Sequence, residues 1–303
     1  MATDISLSTA TRANLLSLQR TTNLIGRTQE RLASGRKVNT PLDDALAFFK
    51  ARNLNTRASE LAVVKDGITD GINVVRAAIQ GVEAMESVLK QMKALAQSAI
   101  SSPESSTRAK MASQFNELRS QVDTLSEDAS FNGVNILKRP GGAFVGGADN
   151  LTVRFNERQD TTPGAAVGPL NQLVVSGISS SDFASILASS ATATGTAGNT
   201  TVWGQTGTAA VTAINSAIRG INSALVTVRE SAFSLGTNNS LLEIRREFTE
   251  NLINTLKGGA SDLINADLNE ESANLLSLQT RQQLGTISLS IAQQSEQSIL
   301  RLF

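Results

Sequence analysis

The sequence ANLLSLQ occupies residues 13–19 and recurs unchanged at residues 273–279, near the opposite ends of a 303-residue chain. The match is not a solenoid repeat, because no further copies fill the space between and no fixed period of about 20–50 residues is present. Two helices with the same apolar face are suited to pair with each other. The repeat therefore predicts a fold in which the ends of the chain meet.

Each copy continues into a series with alternating spacings of three and four residues, which keeps one stripe of a helix facing a partner helix. Polar residues interrupt both series, so we expect the two helices to pair weakly on their own. The N-terminal series is Leu15, Leu18, Thr22, Ile25, Gln29 and Leu32, and the C-terminal series is Leu275, Leu278, Gln282, Gly285, Leu289, Ala292, Glu296 and Ile299.

The composition excludes several kinds of site. The chain has no Cys and no His. It therefore lacks disulfides and thiolates and cannot form the usual zinc, haem or Ser-His-Asp arrangements. We expect no metal site and no cofactor. The 27 basic and 27 acidic residues balance, which argues against a general nucleic-acid or membrane-surface binder, because both need a basic excess.

Charge is distributed unequally between the two ends. Residues 1–37 carry six basic and two acidic side chains, whereas residues 267–303 carry two basic and four acidic ones. Opposite net charges favour association of the ends, although an exposed ion pair contributes only about 0.2–1 kcal/mol. Two ordinary solvated helix faces would explain the same pattern equally well.

The start of the chain carries no export or membrane signal of the usual kinds. Residues 1–4 are not followed by an apolar core of about 7–15 residues, and no apolar run of about 18 residues occurs anywhere. The sequence therefore predicts neither a cleaved secretory signal nor a membrane span. It indicates a cytoplasmic protein, or one exported by a route that leaves no such mark.

Longer helical stripes lie between the ends. The longest keeps the three-four spacing over more than five heptads, from Leu61 to Ala99, with Gly71 and Ala78 small enough for a neighbouring helix to approach closely. A shorter helix follows, and a further stripe runs from Val211 towards the C-terminus. The shorter helix contains Met111, Phe115, Leu118, Val122 and Leu125, and the further stripe shifts its phase near Gly236 and Asn238 and resumes at Leu241, Ile244, Phe248 and Leu252.

The long helix has a predicted start at Thr40, as N-cap, and Pro41, as first helical residue. Asp43 and Asp44 then lie in the first turn, where carboxylates stabilise a helix N-terminus. They are also the nearest approach to a catalytic carboxylate pair. Adjacent residues on a helix do not face each other, which favours capping over acid/base chemistry.

Residues 138–206 differ in character from the helical regions. Leu151 to Phe155 and Leu170 to Val175 alternate as strands do. Residues 176–209 are dominated by Ser, Thr, Ala and Gly, with Trp203 as the one tryptophan, which predicts exposed loops with little core. The predicted fold is therefore mainly α: a long antiparallel coiled-coil or helical bundle formed by the N- and C-terminal regions, with a small β-containing outer insert.

Three stretches resemble the bacterial flagellins, the filament subunits of the flagellum. Residues 31–39, RLASGRKVN, with Asp43-Asp44-Ala45 resemble the family's RLSSGxxIN…DDAA segment, and residues 131–133, FNG, resemble the motif before its hairpin. Residues 278–285, LQTRQQLG, with the closing SILRLF resemble its C-terminal segment. The likeness covers about residues 1–137 and 207–303.

The resemblance implies a discontinuous fold with three domains. Residues 1–42 and 263–303 would form a terminal coiled-coil domain lining the inner tube of a filament. Residues 43–137 and 207–262 would form a rod-like helical bundle with a β-hairpin, and residues 138–206 a variable outer insert. The apolar stripe residues would then mediate self-assembly and partner binding; these are Leu15, Leu18, Ile25, Leu32, Leu275, Leu278, Leu289 and Ile299.

The resemblance also implies partners and a location. The family is exported through a flagellar type III export apparatus, without a cleaved signal peptide, and forms a helical homopolymer outside the cell, in which other flagellins can take part. Its hook-associated and cap proteins would contact the filament, and an export chaperone would hold the C-terminal helix before assembly. The implied chaperone face is Leu275, Leu284, Ile291 and Leu302.

Alternatives come from three classes. A hook-filament junction protein has similar terminal helices, but the closing SILRLF favours the filament subunit. An enzyme grafted into the insert would need a partner constellation for Glu157 and Asp160, and the sequence shows none. A cytoplasmic coiled-coil scaffold would explain the stripes but not the three motifs together. The prediction is a structural subunit of the swimming flagellum and not an enzyme.

Overall fold

The computed structural model describes residues 9–137, 150–156, 171–176, 200–205 and 207–300. Within these ranges the chain is mainly helical, which confirms the predicted fold class. None of the helices there combines the length and the hydropathy that a bilayer-spanning segment needs. The elements in chain order are α1 (Thr9–Ser34), α2 (Ala45–Ser101), α3 (Ser105–Asp128), β1 (Leu151–Arg154), β2 (Gln172–Val175), α4 (Thr200–Trp203), α5 (Thr208–Ile264) and α6 (Leu268–Leu300).

The chain divides into two compact units, and both are discontinuous in sequence. The first unit consists of Met1–Ala58 and Asn254–Phe303, and the second of Ser59–Ile253. Helices α2 and α5 contribute residues to each. The three-domain boundaries implied by the resemblance stay a prediction, since most of residues 138–206 fall outside the described ranges.

The long stripe on α2 forms the centre of the second unit's core. Its predicted members from Leu61 to Ala99 are buried along one face of the helix, except Val64, which is half-buried. Phe115 and Val122 of α3 are buried against the same core, and Met111, Leu118 and Leu125 pack at its margin. At about 1.5–3 kcal/mol for each fully buried large apolar side chain, these stripes account for a stable bundle. The predicted fold-back of the third helix on the second is consistent with this shared core.

Two glycines on α2 let other segments pack directly against the helix backbone. A Cβ at Gly71 would lie 2.6 Å from a methyl carbon of Val153 on β1, and a Cβ at Gly81 would lie 2.6 Å from the Cβ of Ala129, just after α3. The sequence predicted that a helix would approach closely at Gly71. The neighbour there is strand β1 instead, because the hairpin of the insert lies on that face of α2.

Replacing Gly81 with Ala is expected to lower the free energy of unfolding by about 1–3 kcal/mol, the usual cost of overpacking. The Ala129 Cβ is fixed to the backbone, so it cannot rotate away. Gly67→Ala is the matched control on the same helix, since a Cβ at Gly67 would meet nothing within 4 Å, and this change should add about 0.5–1 kcal/mol. Urea denaturation followed by far-UV circular dichroism measures both, and equal effects would contradict this account of the packing.

Helix α5 is continuous from Thr208 to Ile264, so the predicted change near Gly236 does not end it. The predicted shift of phase is wrong: Val228, Leu235 and Leu242 stay buried at intervals of seven residues, and so does Thr249 at the next interval. The unshifted stripe on α2 explains this, because a helix that packs against it has to keep the same repeat. The residues predicted to resume the stripe are turned outward or lie at its edge; Leu241, Ile244 and Phe248 are exposed and Leu252 is half-buried.

The two predicted strands pair with each other. β1 and β2 are antiparallel, with Leu151 opposite Val175 and Arg154 opposite Gln172. Val153 and Val175 are buried and belong to the core of the second unit. This hairpin confirms the small β-containing insert and shows that part of it packs against the helices.

The FNG stretch forms a tight turn. Asn132 and Gly133 have φ values of 54° and 81°, the left-handed backbone of a type I′ turn, which favours the Asn-Gly pair. Phe131 and Val134 exchange two backbone hydrogen bonds of 3.0 Å across it. The motif therefore closes the chain sharply after α3.

Trp203 lies in the core and not in an exposed loop, which corrects the prediction for residues 176–209 at this position. The residue is 0% exposed, and its ring lies 5.3 Å from that of Phe115. The buried guanidinium of Arg108 donates to the carbonyl oxygens of Ser102 (2.8 Å), Trp203 (2.9 Å) and Gln205 (2.7 Å). One arginine thus joins the α2–α3 turn to the segment that leads into α5, and composition alone cannot show such a tie.

Candidate functional site

The turn after α1 is tied to the segment that precedes α6. Gly35 has a φ of 69°, and its N–H donates to the Arg31 carbonyl oxygen (2.8 Å), a left-handed helix end that favours glycine. The Lys37 N–H then donates to the Ile264 carbonyl oxygen (2.7 Å), and the Ala266 N–H donates to the Gly35 carbonyl oxygen (3.0 Å). These bonds fix the end of α1 beside the beginning of α6.

The start of α2 is capped by Asp44, whose Oδ1 accepts the Ala47 N–H (3.0 Å). The Asp43 carboxylate accepts the N–H groups of Asn39 (3.1 Å) and Thr40 (2.9 Å) and the Thr40 hydroxyl (3.1 Å). The Thr40 N–H is the largest of the causes that lower the pKa of Asp43. The predicted N-cap at Thr40 is wrong, because Thr40 lies in the turn that Asp43 closes before the helix begins. Both Asp residues precede the helix and do not lie in its first turn as predicted. The cap by Asp44 and the turn closed by Asp43 agree with a structural role in preference to acid/base chemistry.

Helices α1 and α6 pack against each other within the first unit. On α6 the predicted stripe packs inward. Its described residues are half-buried, whereas the residues between them are exposed. Glu271 extends this stripe by one turn towards the start of α6 and is buried. The half-buried members are Leu275, Leu278, Gln282, Gly285, Leu289 and Ala292.

On α1 only half of the predicted stripe faces inward. Leu18, Ile25 and Leu32 are buried or half-buried, but Leu15 is 44% exposed and Thr22 and Gln29 are exposed too. The prediction is wrong at Leu15, Thr22 and Gln29, because the residue just before each of them faces inward instead. Those side chains, which sequence reasoning missed, are polar; they are Asn14, Thr21 and Thr28, with Thr11 one turn earlier.

The closest approach between the two helices is at Gly285. A Cβ added there would lie 2.8 Å from a methyl carbon of Leu18, so Leu18 packs into the space that the glycine leaves. Arg31 Nη1 donates to Glu271 Oε1 at 2.9 Å, and Glu271 is 8% exposed. This pair joins the basic and acidic chain ends, which is the association that their opposite charges favour.

A second apolar face of α6 points away from α1. Leu276, Leu284, Ile287 and Ile291 are 56–67% exposed, and they lie within about 80° of one another on a helix of 3.6 residues per turn. Two residues of the implied chaperone face, Leu284 and Ile291, belong to this open side. Leu275, the third, belongs to the side that contacts α1.

Two predicted contact residues cannot be placed in the same way. Ile299 lies in α6, but its side chain falls outside the described part of the chain, and Leu302 lies outside it altogether. The roles of all these side chains in assembly and chaperone binding stay predictions. Among the described residues, no group of three or more Asp or Glu side chains is placed to hold a metal ion.

The helices nearest the two ends of the chain therefore form one pair. Known proteins agree with this. The sequence profile of the bacterial flagellin N-terminal helical region matches residues 5–140, and that of the bacterial flagellin C-terminal helical region matches residues 218–303. These two matches cover α1, α2, α3 and α6 in full, and α5 from residue 218 onward.

Similar whole proteins are flagellins too. The chain is 31% identical to flagellin FljM of Caulobacter vibrioides over 95% of its own length and 94% of that protein. It is 30% identical to flagellin C of Rhizobium meliloti over 99% of each chain, and 25% identical to the flagellin of Brucella melitensis over 100% and 99%.

The chain belongs to the bacterial flagellins. It is a structural subunit of the extracellular flagellar filament that drives swimming, and none of these relatives favours the hook-filament junction alternative.

Proposed function

We propose that the α1–α6 pair is the part of this flagellin that is completed by other copies during filament assembly. The observation that carries the proposal is the two-sided α6: one apolar side is only half-buried by α1, and the opposite side, with Leu284, Ile287 and Ile291, is open. A helix that is apolar on two sides needs two neighbours. In a filament, other copies of the pair supply the second one.

The pair itself is weak, because its α1 side is polar at every second contact. Asn14, Thr21 and Thr28 contribute much less hydrophobic stabilisation than the leucines opposite them. The terminal helices therefore order fully only when neighbouring subunits add buried apolar area, so assembly is a coupled folding reaction. Repeated contacts between unlike surfaces that do not close on themselves produce a helical tube.

The same helix suits an export chaperone that binds before assembly. A chaperone that takes Leu275 together with Leu284 and Ile291 must contact α6 from both sides, since Leu275 faces α1 and the other two face outward. Binding of that kind excludes pairing with α1. The chaperone would thus keep α6 unpaired until the chain has passed through the flagellar type III export apparatus, without a cleaved signal peptide. Hook-associated and cap proteins would then meet the pair at the filament ends.

Hydrogen exchange tests the coupled folding directly. We expect amides of α1 and α6 to exchange rapidly in the purified monomer and at least about a hundredfold more slowly in filaments, because local openings become costly only after assembly. Buried amides of α2 between Ile68 and Ala99 serve as the internal control, since they should be protected in both states. Terminal helices that are equally protected in monomer and filament would overturn the proposal.

A further inference from the structure

The α1–α6 pair uses only part of the charge difference between the two chain ends. Among the described residues, Arg31 and Glu271 form the ion pair that joins the two helices. Arg12, Arg20 and Arg27 are exposed and make no hydrogen bond or ion pair with any described residue. Most of the basic excess on α1 is therefore not explained by its contact with α6.

The three unpaired arginines alternate with two leucines along one side of α1. With 3.6 residues per turn, the five side chains lie within about 120° of one another and extend over about 23 Å. On a helix wheel they point about 160° away from Leu18, Ile25 and Leu32, which pack towards α6, and all five are exposed. We call them the α1 outer stripe, which consists of Arg12, Leu16, Arg20, Leu24 and Arg27.

The leucines of the stripe indicate the kind of partner. Leu16 is 49% exposed and Leu24 47%. Arginines alone would suit any polyanion, including nucleic acid, whose backbone is contacted by cationic and polar groups. An anionic bilayer accepts both residue types: headgroup phosphates take hydrogen bonds from guanidinium groups, and leucines enter the boundary between headgroups and acyl chains. The alternation therefore fits a membrane surface better than a nucleic acid.

We propose that the α1 outer stripe docks the unassembled subunit, reversibly, on the surface of an anionic phospholipid membrane. The charges are complementary, and each arginine near such a surface raises the affinity about fivefold. The 27 basic and 27 acidic residues of the whole chain balance, so the attraction is confined to α1. A subunit of an extracellular filament has to leave the cell, and docking would concentrate subunits at the membrane before they do. The inference concerns the free subunit and does not depend on how the α1–α6 pair behaves in the filament.

The first test measures co-sedimentation of the purified monomer with vesicles. We expect at least about tenfold tighter binding to vesicles of equal amounts of phosphatidylglycerol and phosphatidylcholine than to phosphatidylcholine alone, and loss of this difference at about 1 M salt. Arg20→Gln with Arg27→Gln should weaken binding to the anionic vesicles about tenfold or more. Lys110→Gln with Arg219→Gln is the matched control, because it removes the same charge from exposed positions of the second unit. Equal binding to both kinds of vesicle, or equal loss in the two variants, would overturn the proposal.

The second test separates a membrane from a nucleic acid. Leu16→Ser with Leu24→Ser should weaken binding to the same anionic vesicles at least about fivefold, because it removes the apolar part of the contact and keeps the charges. Val63→Ser with Phe233→Ser is the control, since it removes two exposed apolar side chains outside the stripe and should leave vesicle binding within about twofold of the parent. A leucine variant that binds as tightly as the parent, or a parent that binds a short DNA duplex as tightly as the anionic vesicles, would exclude the membrane as the partner.

Discussion

Replacing Arg108 with Met is expected to lower the free energy of unfolding of the second unit by about 3–5 kcal/mol. The guanidinium is 8% exposed and donates to three carbonyl oxygens. A methionine fills a similar volume but leaves these acceptors unmatched, and each buried acceptor without a donor costs about 1–3 kcal/mol. The α2–α3 turn and the segment before α5 should separate.

The fluorescence of Trp203 makes this change easy to follow. It is the one Trp in the chain, it is fully buried, and the carbonyl of the same residue accepts a hydrogen bond from Arg108. The variant should shift its emission to longer wavelength and unfold at lower urea concentration. Lys110→Met, an exposed change on the same helix, is the control and should stay within about 0.5 kcal/mol of the parent. A variant as stable as this control would show that Arg108 does not close the core.

Replacing Leu278 with Asp is expected to raise the lowest concentration that supports filaments by about tenfold or more. Leu278 is half-buried on the α1 side of α6, and each 1.4 kcal/mol lost from a contact changes its equilibrium about tenfold. Loss of a partly buried leucine and desolvation of a carboxylate both act in this direction.

The matched control for this change is Gln279→Glu. It adds the same negative charge one residue further on, at an exposed position. Sedimentation of filaments at increasing protein concentrations measures both variants. Filaments that form equally well from Leu278→Asp and from the parent would contradict a role for the α1–α6 pair in assembly.

The sequence predicted most of the helical fold because the α2 stripe is apolar at nearly every inward position and the α6 stripe is apolar at most of them. The prediction failed on α1 because two stripes are possible there, and both contain Leu18, Ile25 and Leu32. The stripe that faces inward adds the polar residues Asn14, Thr21 and Thr28. The more apolar choice included Leu15, which stays exposed in the single chain. Hydrophobicity alone therefore selects the wrong side of a helix that has more than one neighbour.

The same reason explains the false shift of phase in α5. Leu241, Ile244 and Phe248 are apolar, but they are exposed on the outward side of α5, while Thr249 takes the inward position. Periodicity shows that a residue faces a partner and does not show whether that partner lies in the same chain. In a protein that polymerises, apolar residues that the sequence wrongly places in the core are therefore candidates for contacts between subunits.

Two local features could not be read from composition or spacing. The cap at Asp44 depends on Asp43 closing the preceding turn around Asn39 and Thr40, and neighbouring Asp residues look alike in sequence. The burial of Trp203 depends on Arg108, which is 95 residues earlier in the chain. Long-range hydrogen bonds of this kind leave no local pattern.

Electron microscopy of the purified chain, after addition of short filament seeds or a precipitating salt that strengthens apolar burial, tests the central claim most directly. The claim is that this flagellin polymerises by itself, with the α1–α6 pair as the part completed by its neighbours. We predict long, uniform tubes from the parent chain and few or none from Leu278→Asp at the same concentration. Short caps or persistent monomers from the parent chain would contradict it.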